Sequence, residues 1–271
     1  MTGPAPEPDL PRSASPAVTR AAAVLAALAV EPTRPMGPSE LSRRTGTAKA
    51  TVINVCSALA DAHLLRRSAS GYLLGHRLAE LGTSYLRSVQ EVQEFYDCCR
   101  RVLGTVAQTV QLSVLNDGLD VVYLARQDGS DPLHLGLASE IGRSVPAHCT
   151  AAGKALLAAL PPEELDRRIA AAGPLAAVTE ESLREPAAVR AELDLVRERR
   201  YATEHGEIVP GVRCIGAAVH TPHRADGLIA VSFTFRDRAE PVDAPATLAD
   251  LMRFTTAFGS RIGAEAISEG A

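Results

Sequence analysis

Two short helices and a basic hairpin between residues 38 and 75 constrain the fold of this chain more than any other feature. The first predicted helix has Ser39 as its N-cap and ends at Gly46. Thr47 is predicted to cap the second helix, whose buried face recurs at helical spacing and consists of Val52, Val55, Cys56 and Leu59. The hairpin that follows carries Arg66 and Arg67 beside a Ser-Ala-Ser-Gly turn. A helix pair alone is common, but the whole arrangement predicts a winged helix-turn-helix.

The exposed face of the second helix is predicted to enter the major groove of DNA. Asn54 suits bidentate pairing with adenine and Ile53 can pack on a thymine methyl group, so we expect an A/T-containing half-site. Lys49 and Arg67 are predicted to bind phosphates, which strengthens binding to all sequences alike. The full set of candidate DNA-contacting residues is Ser39, Arg43, Arg44, Thr47, Lys49, Ala50, Thr51, Ile53, Asn54, Ser57, Arg66 and Arg67.

Charge divides the chain into two unlike parts. Residues 12–77 hold nine Lys and Arg side chains against three acidic ones, whereas the rest of the chain holds 19 against 29. A basic module attracts phosphates through counterion release, and an acidic body is repelled by DNA. Uneven solvated charge is the simpler explanation of such a pattern. Its coincidence with the helix-turn-helix pattern favours a nucleic-acid-binding module.

The order of predicted elements indicates four parts: a disordered leader (1–14), the winged module (15–76), a linker helix (77–90) and a larger domain (91–267). The larger domain opens with an amphipathic helix that carries Val92 and Val106 on one face. Its predicted strands lie at 109–115, 119–126, 133–138, 201–204, 214–220 and 227–235. Its predicted helices lie at 151–160, 162–172, 186–200 and 244–267. Because Asn116-Asp117-Gly118 predicts a hairpin, we expect an α+β fold with an antiparallel sheet flanked by helices.

Several classes of protein are excluded or disfavoured by composition. No run approaches about 18 consecutive apolar residues, so no membrane span is predicted. The Ala-rich stretch 21–30 follows a Pro-rich leader with acids rather than a basic segment, which favours a core helix over a signal peptide. The five cysteines are odd in number and lack C-x-x-C spacing, which disfavours a disulfide framework or a zinc site. We therefore expect a cytoplasmic protein without a metal or other cofactor.

The Gly153-Lys154 pair lacks the first glycine and the final Ser or Thr of a phosphate-binding loop, so nucleotide binding is not expected. The small residues Ala151, Ala152 and Gly153 nevertheless begin a predicted helix. Free N–H groups at a helix N-terminus bind anions, and a carboxylate would fit there. The same small residues would also permit close packing of the helix on the sheet. The residues alone leave these two interpretations open.

Three blocks make the chain resemble the IclR family of bacterial transcription regulators along nearly its full length. They are Leu41–Gly46 with Lys49–Val52, Pro146–Ala155, and Gly211–Ile215, and their separation also fits. The resemblance implies a winged helix-turn-helix joined to a GAF-like effector-binding domain. It also implies small organic or aromatic acids as effectors, double-stranded operator DNA as a partner, and a homodimer or tetramer.

The same resemblance tips the Ala151–Gly153 segment towards a ligand site. It implies that the effector cavity is lined by His134, Leu137, Val145, Ala151, Ala152, Gly153, Glu204, Val212 and Cys214. Two differences from the residues common in this family bear on the identity of the effector. His134 stands where an apolar residue is common, although it could equally be a half-exposed strand residue. His205 and Gly206 replace acidic residues in the stretch after Glu204.

An enzyme is the weaker hypothesis. Cys149 beside His148 could be imagined as a nucleophile and a base, but neighbouring residues usually point apart, and a buried cysteine usually acts as a small hydrophobe. His220 and His223 flank a proline in a turn, which disfavours a metal site. The second function class is a small-molecule sensor, redox-responsive through Cys149 or Cys214, whose winged module contacts protein. For either class, a stripe of Leu78, Leu81 and Tyr85 on the linker helix predicts at least a homodimer.

Overall fold

The computed structural model describes residues 15–103, 108–130, 140–236 and 242–263. The chain divides into two compact units with the boundary between Tyr85 and Leu86. The predicted leader, the predicted strand at 133–138 and the candidate site residues His134 and Leu137 lie outside the described residues. Within the described ranges, no helix is both long enough and apolar enough to cross a membrane.

The first unit contains three helices followed by a two-stranded hairpin, as predicted. The elements are α1 (Pro16–Ala29), α2 (Pro38–Thr45), α3 (Lys49–Asp61), β1 (Leu65–Ser68) and β2 (Gly71–Leu74). Their core joins Val24 and Leu28 of α1 to the apolar face of α3, where Val52, Cys56 and Leu59 are buried. Val55 is only half-buried against this core. The periodicity of α3 therefore predicted its buried face correctly.

Two predicted helix caps in this unit are wrong. Helix α2 begins two residues earlier than expected, with Gly37 as its N-cap and Pro38 in its first turn, where the missing N–H of proline is not needed. Ser39 is therefore inside the helix. The N-cap of α3 is Ala48, which offers no side-chain acceptor, and the Thr47 hydroxyl donates to a backbone carbonyl instead. The predicted end of α2 is confirmed, since Gly46 is left-handed at φ +65°.

The hairpin of the first unit is fixed to the segment that precedes α2. Met36 and Tyr72 exchange two backbone hydrogen bonds of 3.0 and 2.9 Å. A Cβ atom at Gly71 would lie 2.4 Å from the Met36 carbonyl oxygen, so only glycine allows this approach. Because of this pairing, the hairpin has a fixed position beside the helices.

Helix α4 (Arg77–Ser88) covers most of the predicted linker segment, 77–90, and includes no buried residue. It carries the stripe that was predicted to contact a partner. Leu81 and Tyr85 are 48% and 50% exposed, whereas Leu78 is half-buried. The amphipathic helix that was predicted to follow it is shorter than expected. Helix α5 (Gln90–Cys98) passes into a π-helical turn at Cys99–Leu103, where the described range ends.

The second unit is built on a six-stranded antiparallel sheet, which confirms the predicted fold class. Its strands are β3 (Thr109–Leu115), β4 (Asp120–Gln127), β5 (Ser144–Pro146), β6 (Ala202–His205), β7 (Val212–His220) and β8 (Leu228–Arg236), in the order β5-β4-β3-β8-β7-β6. The predicted hairpin between β3 and β4 is confirmed. Its turn is closed by Asn116 Oδ1, which accepts hydrogen bonds from Gly118 N and Asp120 N.

Helices cover both faces of this sheet. They are α6 (Ala151–Ala159), α7 (Pro162–Ala172), α8 (Pro186–Arg199) and α9 (Pro245–Arg261), together with α5. Helices α5 and α9 cover one face through buried aromatic side chains, among them Phe95 and Phe254, which pack with Phe233 of β8. Helix α6 lies on the opposite face and packs against α8. The sheet face beneath α6 carries buried polar residues, among them Gln111, Ser232 and Thr234.

Candidate functional site

The exposed surface of α3 contains most of the predicted base-reading residues. Ile53 is 42% exposed, which core packing does not explain for an aliphatic side chain. Of the twelve predicted DNA contacts, three are half-buried (Thr47, Thr51 and Ser57) and nine are exposed: Ser39, Arg43, Arg44, Lys49, Ala50, Ile53, Asn54, Arg66 and Arg67. An exposed row of amide, aliphatic and cationic groups on one helix can contact base edges and phosphates.

Arg67 connects the hairpin to α3. Its guanidinium Nη2 donates to Ser57 Oγ at 2.9 Å and lies 5.9 Å from the centre of the Tyr72 ring. One edge of this cation is therefore engaged within the unit. From the sequence, Arg67 was predicted only to bind phosphate. Its contacts show that it also positions the hairpin against α3.

Arg44 belongs to a network of two arginines and two glutamates. It contacts Glu31 at 2.6 Å and Glu40 at 3.2 Å, and Arg34 binds the same two carboxylates. Hydrogen bonds from Arg34 hold the pKa of both glutamates below the ordinary value. The two arginines and two glutamates neutralise each other, so the net positive charge of this surface comes from other residues. Arg43, Lys49 and Arg66 make no ion pair within the described ranges.

The second unit contains a cavity of about 410 Å³, including the open space at its mouth. It lies between the start of α6, the sheet and the segment after β6. Five of the predicted effector-binding residues line it, namely Ala151, Ala152, Glu204, Val212 and Cys214. Seven further lining residues were not predicted: Gln111, Tyr123, Thr150, Ile208, Val209, Ser232 and Thr234.

Val145 and Gly153 are not among the lining residues. Val145 is buried in the core cluster that joins β5 to α6, and its role as an effector-binding residue stays a prediction. A Cβ atom at Gly153 would lie 2.2 Å from the Ala147 carbonyl oxygen, so this glycine serves close packing instead. Across the helix start, a Cβ atom at Gly216 of β7 would lie 3.0 Å from Ala152 N. Close packing at the helix start is therefore confirmed for Gly153 and Gly216, whereas anion binding by Ala151 and Ala152 stays a prediction.

The first turn of α6 presents backbone donors to the cavity. Thr150 caps the helix, since its hydroxyl accepts from Gly153 N at 2.9 Å and its carbonyl accepts from Lys154 N at 2.8 Å. The N–H groups of Ala151 and Ala152 have no partner in the described part of the chain. Unpaired donors at this end of a helix, aligned with its dipole, attract anions.

The sheet face beneath α6 becomes polar at the cavity. Alternate residues of β3 and β8 are polar and buried there, which places Gln111, Ser232 and Thr234 in the cavity lining. In sequence, such alternation is typical of a strand with one face in water. This signal could have identified the site only together with the knowledge that α6 covers the face.

Glu204 and Cys214 are both perturbed by burial. Glu204 is 2% exposed, and burial raises its pKa to about 7, although its Oε1 accepts from Glu207 N and Ile208 N at 2.5 and 3.4 Å. Burial also raises the pKa of the Cys214 thiol, and raises that of Cys149 to about 11. Both thiols are therefore protonated at neutral pH. Reactive cysteines are thiolates, so these environments disfavour the redox-sensor alternative.

A buried ion pair holds the segment after β6 on α6. Lys154 Nζ donates to Glu207 Oε1 at 2.5 Å and to the Thr203 carbonyl at 3.2 Å, and both charged side chains are less than a tenth exposed. Burial raises the pKa of Glu207, and the ammonium group of Lys154 opposes that shift. In the sequence, Lys154 was considered only as part of an incomplete phosphate-binding motif. The ion pair was not predicted, because its partner Glu207 is 53 positions away.

The residues considered for catalysis are arranged differently from a nucleophile and base. His148 Nε2 and Cys149 Sγ lie 3.0 and 3.8 Å from the same acceptor, the carbonyl oxygen of Ala176. Burial lowers the pKa of His148, so its ring is neutral at pH 7. These contacts fasten the turn before α6 to the segment that contains Ala176, and they do not activate the thiol.

Comparison with known proteins extends over both units. The family profile described as "IclR helix-turn-helix domain" matches residues 17–69, and "Bacterial transcriptional regulator IclR C-terminal" matches residues 83–246. An HTH-type transcriptional regulator of Mycobacterium tuberculosis, Rv1719, is 34% identical over 74% of this chain and 76% of its own length. The glycerol operon regulatory protein of Streptomyces coelicolor is 33% identical over 76% of this chain and 79% of its own length.

Solved structures share the fold. The crystal structure of an IclR homologue from Microbacterium hydrocarbonoxydans, complexed with 4-hydroxybenzoate, superposes with a TM-score of 0.71 at 22% identity. The match covers 91% of this chain and 99% of that chain. Matched relatives include the transcriptional repressor IclR of Escherichia coli. The chain is thus a DNA-binding regulator of transcription rather than an enzyme, and it belongs to the IclR family of bacterial transcriptional regulators.

Proposed function

We propose that a small organic or aromatic acid binds in the cavity beside α6 and changes the affinity of this regulator for its operator. The effector carboxylate would accept hydrogen bonds from the N–H groups of Ala151 and Ala152. Val212 and Cys214 would line its apolar side, and Glu204 would accept a hydrogen bond from it. The protein would act in the cytoplasm, where its DNA partner is found. An effector changes DNA affinity only as far as it binds two conformations differently.

One observation carries this proposal: a cavity lined mostly by buried residues includes Ala151 and Ala152, whose N–H groups the Thr150 cap leaves without a partner in the described part of the chain. Its lining combines apolar side chains with a few polar groups, as small-molecule sites do. The related fold that was crystallised with 4-hydroxybenzoate supports an acid as the ligand class. The proposal is tested by measuring the affinity of the protein for its own upstream DNA with and without candidate acids, over a salt series. Specific binding that weakens steeply with salt, and changes with one acid, is expected. No sequence-specific binding at any salt concentration would contradict it.

The acidity of Glu204 leads to a pH dependence of effector binding. With a pKa near 7, Glu204 is mostly neutral at pH 6 and mostly charged at pH 8. A charged carboxylate repels an anionic ligand, so affinity should fall as pH rises through 7, by up to about tenfold per unit. Titration calorimetry between pH 6 and pH 8, with an acid that stays ionised throughout, measures this. Glu204→Gln should remove the slope, and an equal slope in that variant would contradict the assignment.

Base recognition by α3 leads to a second prediction. Asn54→Ala should reduce discrimination at one base pair by about 1–3 kcal/mol, because the amide can bind adenine through two hydrogen bonds. Lys49→Ala is the contrasting variant, since removing a phosphate contact weakens cognate and scrambled DNA alike. Both affinities are measured by fluorescence anisotropy at fixed salt. An equal loss on the two DNA molecules for Asn54→Ala would refute base readout by this residue.

Assembly through α4 is the third prediction, and we propose at least a homodimer. Leu81 and Tyr85 expose apolar surface on a helix that has no buried residue, which is suited to a partner helix. Leu81→Glu combined with Tyr85→Glu should lower the molar mass in light scattering and weaken operator binding, because one winged module binds alone only modestly. Leu195→Glu on α8 is the control, since Leu195 is equally exposed at 51%. A wild-type monomer with specific DNA binding would exclude the dimer.

A further inference from the structure

The cavity contains two hydrogen-bonding side chains that the described residues leave unsatisfied. Gln111 is 2% exposed, and its Oε1 accepts from Thr234 Oγ1 at 3.0 Å, while its Nε2 has no partner there. Tyr123 is 6% exposed, and no described residue forms a hydrogen bond with its hydroxyl group. Both side chains line the cavity. The amide nitrogen of Gln111 is fully buried, and a buried polar group without a partner is destabilising, so this nitrogen calls for a ligand or water to satisfy it.

One end of the Gln111 amide faces Thr234. The Thr234 hydroxyl donates to Gln111 Oε1 at 3.0 Å and lies 3.3 Å from Cys214 Sγ, where either group can donate. A thiol that donates to the Thr234 oxygen leaves the hydroxyl proton for Gln111. The amide nitrogen, with its two protons, is therefore the end that faces the cavity.

Strand register places these donors away from the start of α6. Gly216 lies directly beneath Ala152, and Gln111 is two strands from Gly216, through Ser232. Two strand spacings are about 9.5 Å. Tyr123 lies on β4, one strand farther in the same direction. A ligand whose carboxylate binds at the helix terminus would thus meet Gln111 and Tyr123 with its other end.

We infer that Gln111 and Tyr123 determine effector specificity by donating hydrogen bonds to an oxygen atom remote from the effector carboxylate. The inference rests on the proposed effector site and narrows the ligand class. The effector is a carboxylic acid with a hydroxyl or carbonyl oxygen several bonds from the carboxylate, and an acid without that oxygen binds more weakly. A site that is built for a hydrogen bond rejects an analogue lacking the group, because the buried donors stay unpaired.

Matched pairs of acids test this directly on the full-length protein by titration calorimetry. The probes are 4-hydroxybenzoate against benzoate, and 4-oxopentanoate against pentanoate. The wild type should bind the oxygen-bearing member of at least one pair about tenfold more tightly. Gln111→Met, which keeps the length but removes the donors, should reduce that ratio without weakening the unsubstituted acid, and its combination with Tyr123→Phe should bring the ratio close to one. Tyr123→Phe should reduce the ratio in part.

Two control variants make the same Gln-to-Met and Tyr-to-Phe substitutions at residues outside the cavity lining. Gln127→Met alters an exposed glutamine at the end of β4, and Tyr96→Phe alters a half-buried tyrosine of α5 outside the cavity lining. Neither should change the ratio. Equal affinities of the wild type for both members of each pair, or an equal loss for both members in Gln111→Met, would overturn the inference and leave the effector site intact. Failure of all four acids to bind would overturn the acid class, and with it both proposals.

Discussion

Lys154→Met should lower the free energy of unfolding of the second unit by about 3–5 kcal/mol. Removing one partner of a buried ion pair leaves the other charge without compensation in a medium of low polarity. Here Glu207 would lose the ammonium group, and the Thr203 carbonyl would lose a donor. Urea unfolding followed by circular dichroism measures the change. We expect the loss to be smaller at pH 5 than at pH 8, because Glu207 has a raised pKa and can become neutral by protonation.

Two further variants separate this explanation from simple loss of packing. Adding Glu207→Leu to Lys154→Met should recover most of the stability, since an apolar pair of similar volume often replaces a buried ion pair without cost. Arg190→Met is the matched control, because Arg190 and Asp166 form an ion pair with side chains 44% and 61% exposed. Exposed pairs contribute about 0–1 kcal/mol. A loss as large in Arg190→Met, or no recovery in the double variant, would contradict the role of the buried pair.

Ala152→Asp is expected to abolish the response to an acidic effector while operator binding persists. An aspartate is favourable in the first turn of a helix, so the fold should tolerate it. Its carboxylate would occupy the donors of the α6 terminus and repel a ligand carboxylate about 4 Å away. Such repulsion amounts to about 4 kcal/mol at an intermediate dielectric constant, which exceeds a hundredfold loss of affinity. Calorimetry with an acid that binds the wild type measures this loss.

Ala152→Asn is the matched variant, since it adds nearly the same bulk without the charge. It should weaken acid binding much less than Ala152→Asp does. If Ala152→Asp folds, binds operator and still binds the acid with unchanged affinity, then the effector site lies elsewhere. If both variants lose binding equally, bulk rather than charge excludes the ligand, and the predicted electrostatic repulsion is refuted.

Sequence patterns predicted elements that depend on neighbouring residues. The apolar period of α3, the glycine at the end of α2 and the Asn-Asp-Gly turn were all interpreted correctly, because each reflects local geometry. The N-caps of α2 and α3 were not. The start of α2 lies two residues earlier, at Pro38, and α3 has Ala48 as an N-cap without any side-chain hydrogen bond. Cap positions depend on small backbone preferences that the tertiary contacts of the helix can override.

The cavity could be predicted only in part, for a physical reason. Ala151, Ala152 and Cys214 were predicted from the resemblance to known regulators. Gln111 was not, because a polar residue in an alternating strand is ordinarily exposed, and only the covering helix makes it buried. The Lys154–Glu207 pair joins residues 53 positions apart, and no local pattern records such a contact. The predicted lining differs from the observed one because burial depends on contacts between residues distant in sequence, which local secondary-structure patterns do not record.

Two glycines, one in α6 and one beneath its first turn, make one wall of the cavity unyielding. Gly153 is held against Ala147 and Gly216 against Ala152, so α6 cannot move towards the sheet to fit a ligand. Another wall contains Ile208 and Val209, whose segment is fastened at Glu207 by the buried ion pair. A change in ligand size must therefore be met by the side chains at positions 208 and 209 rather than by movement of the backbone. Divergence of effector size among similar regulators should be concentrated at the equivalents of Ile208 and Val209, while the helix start stays small.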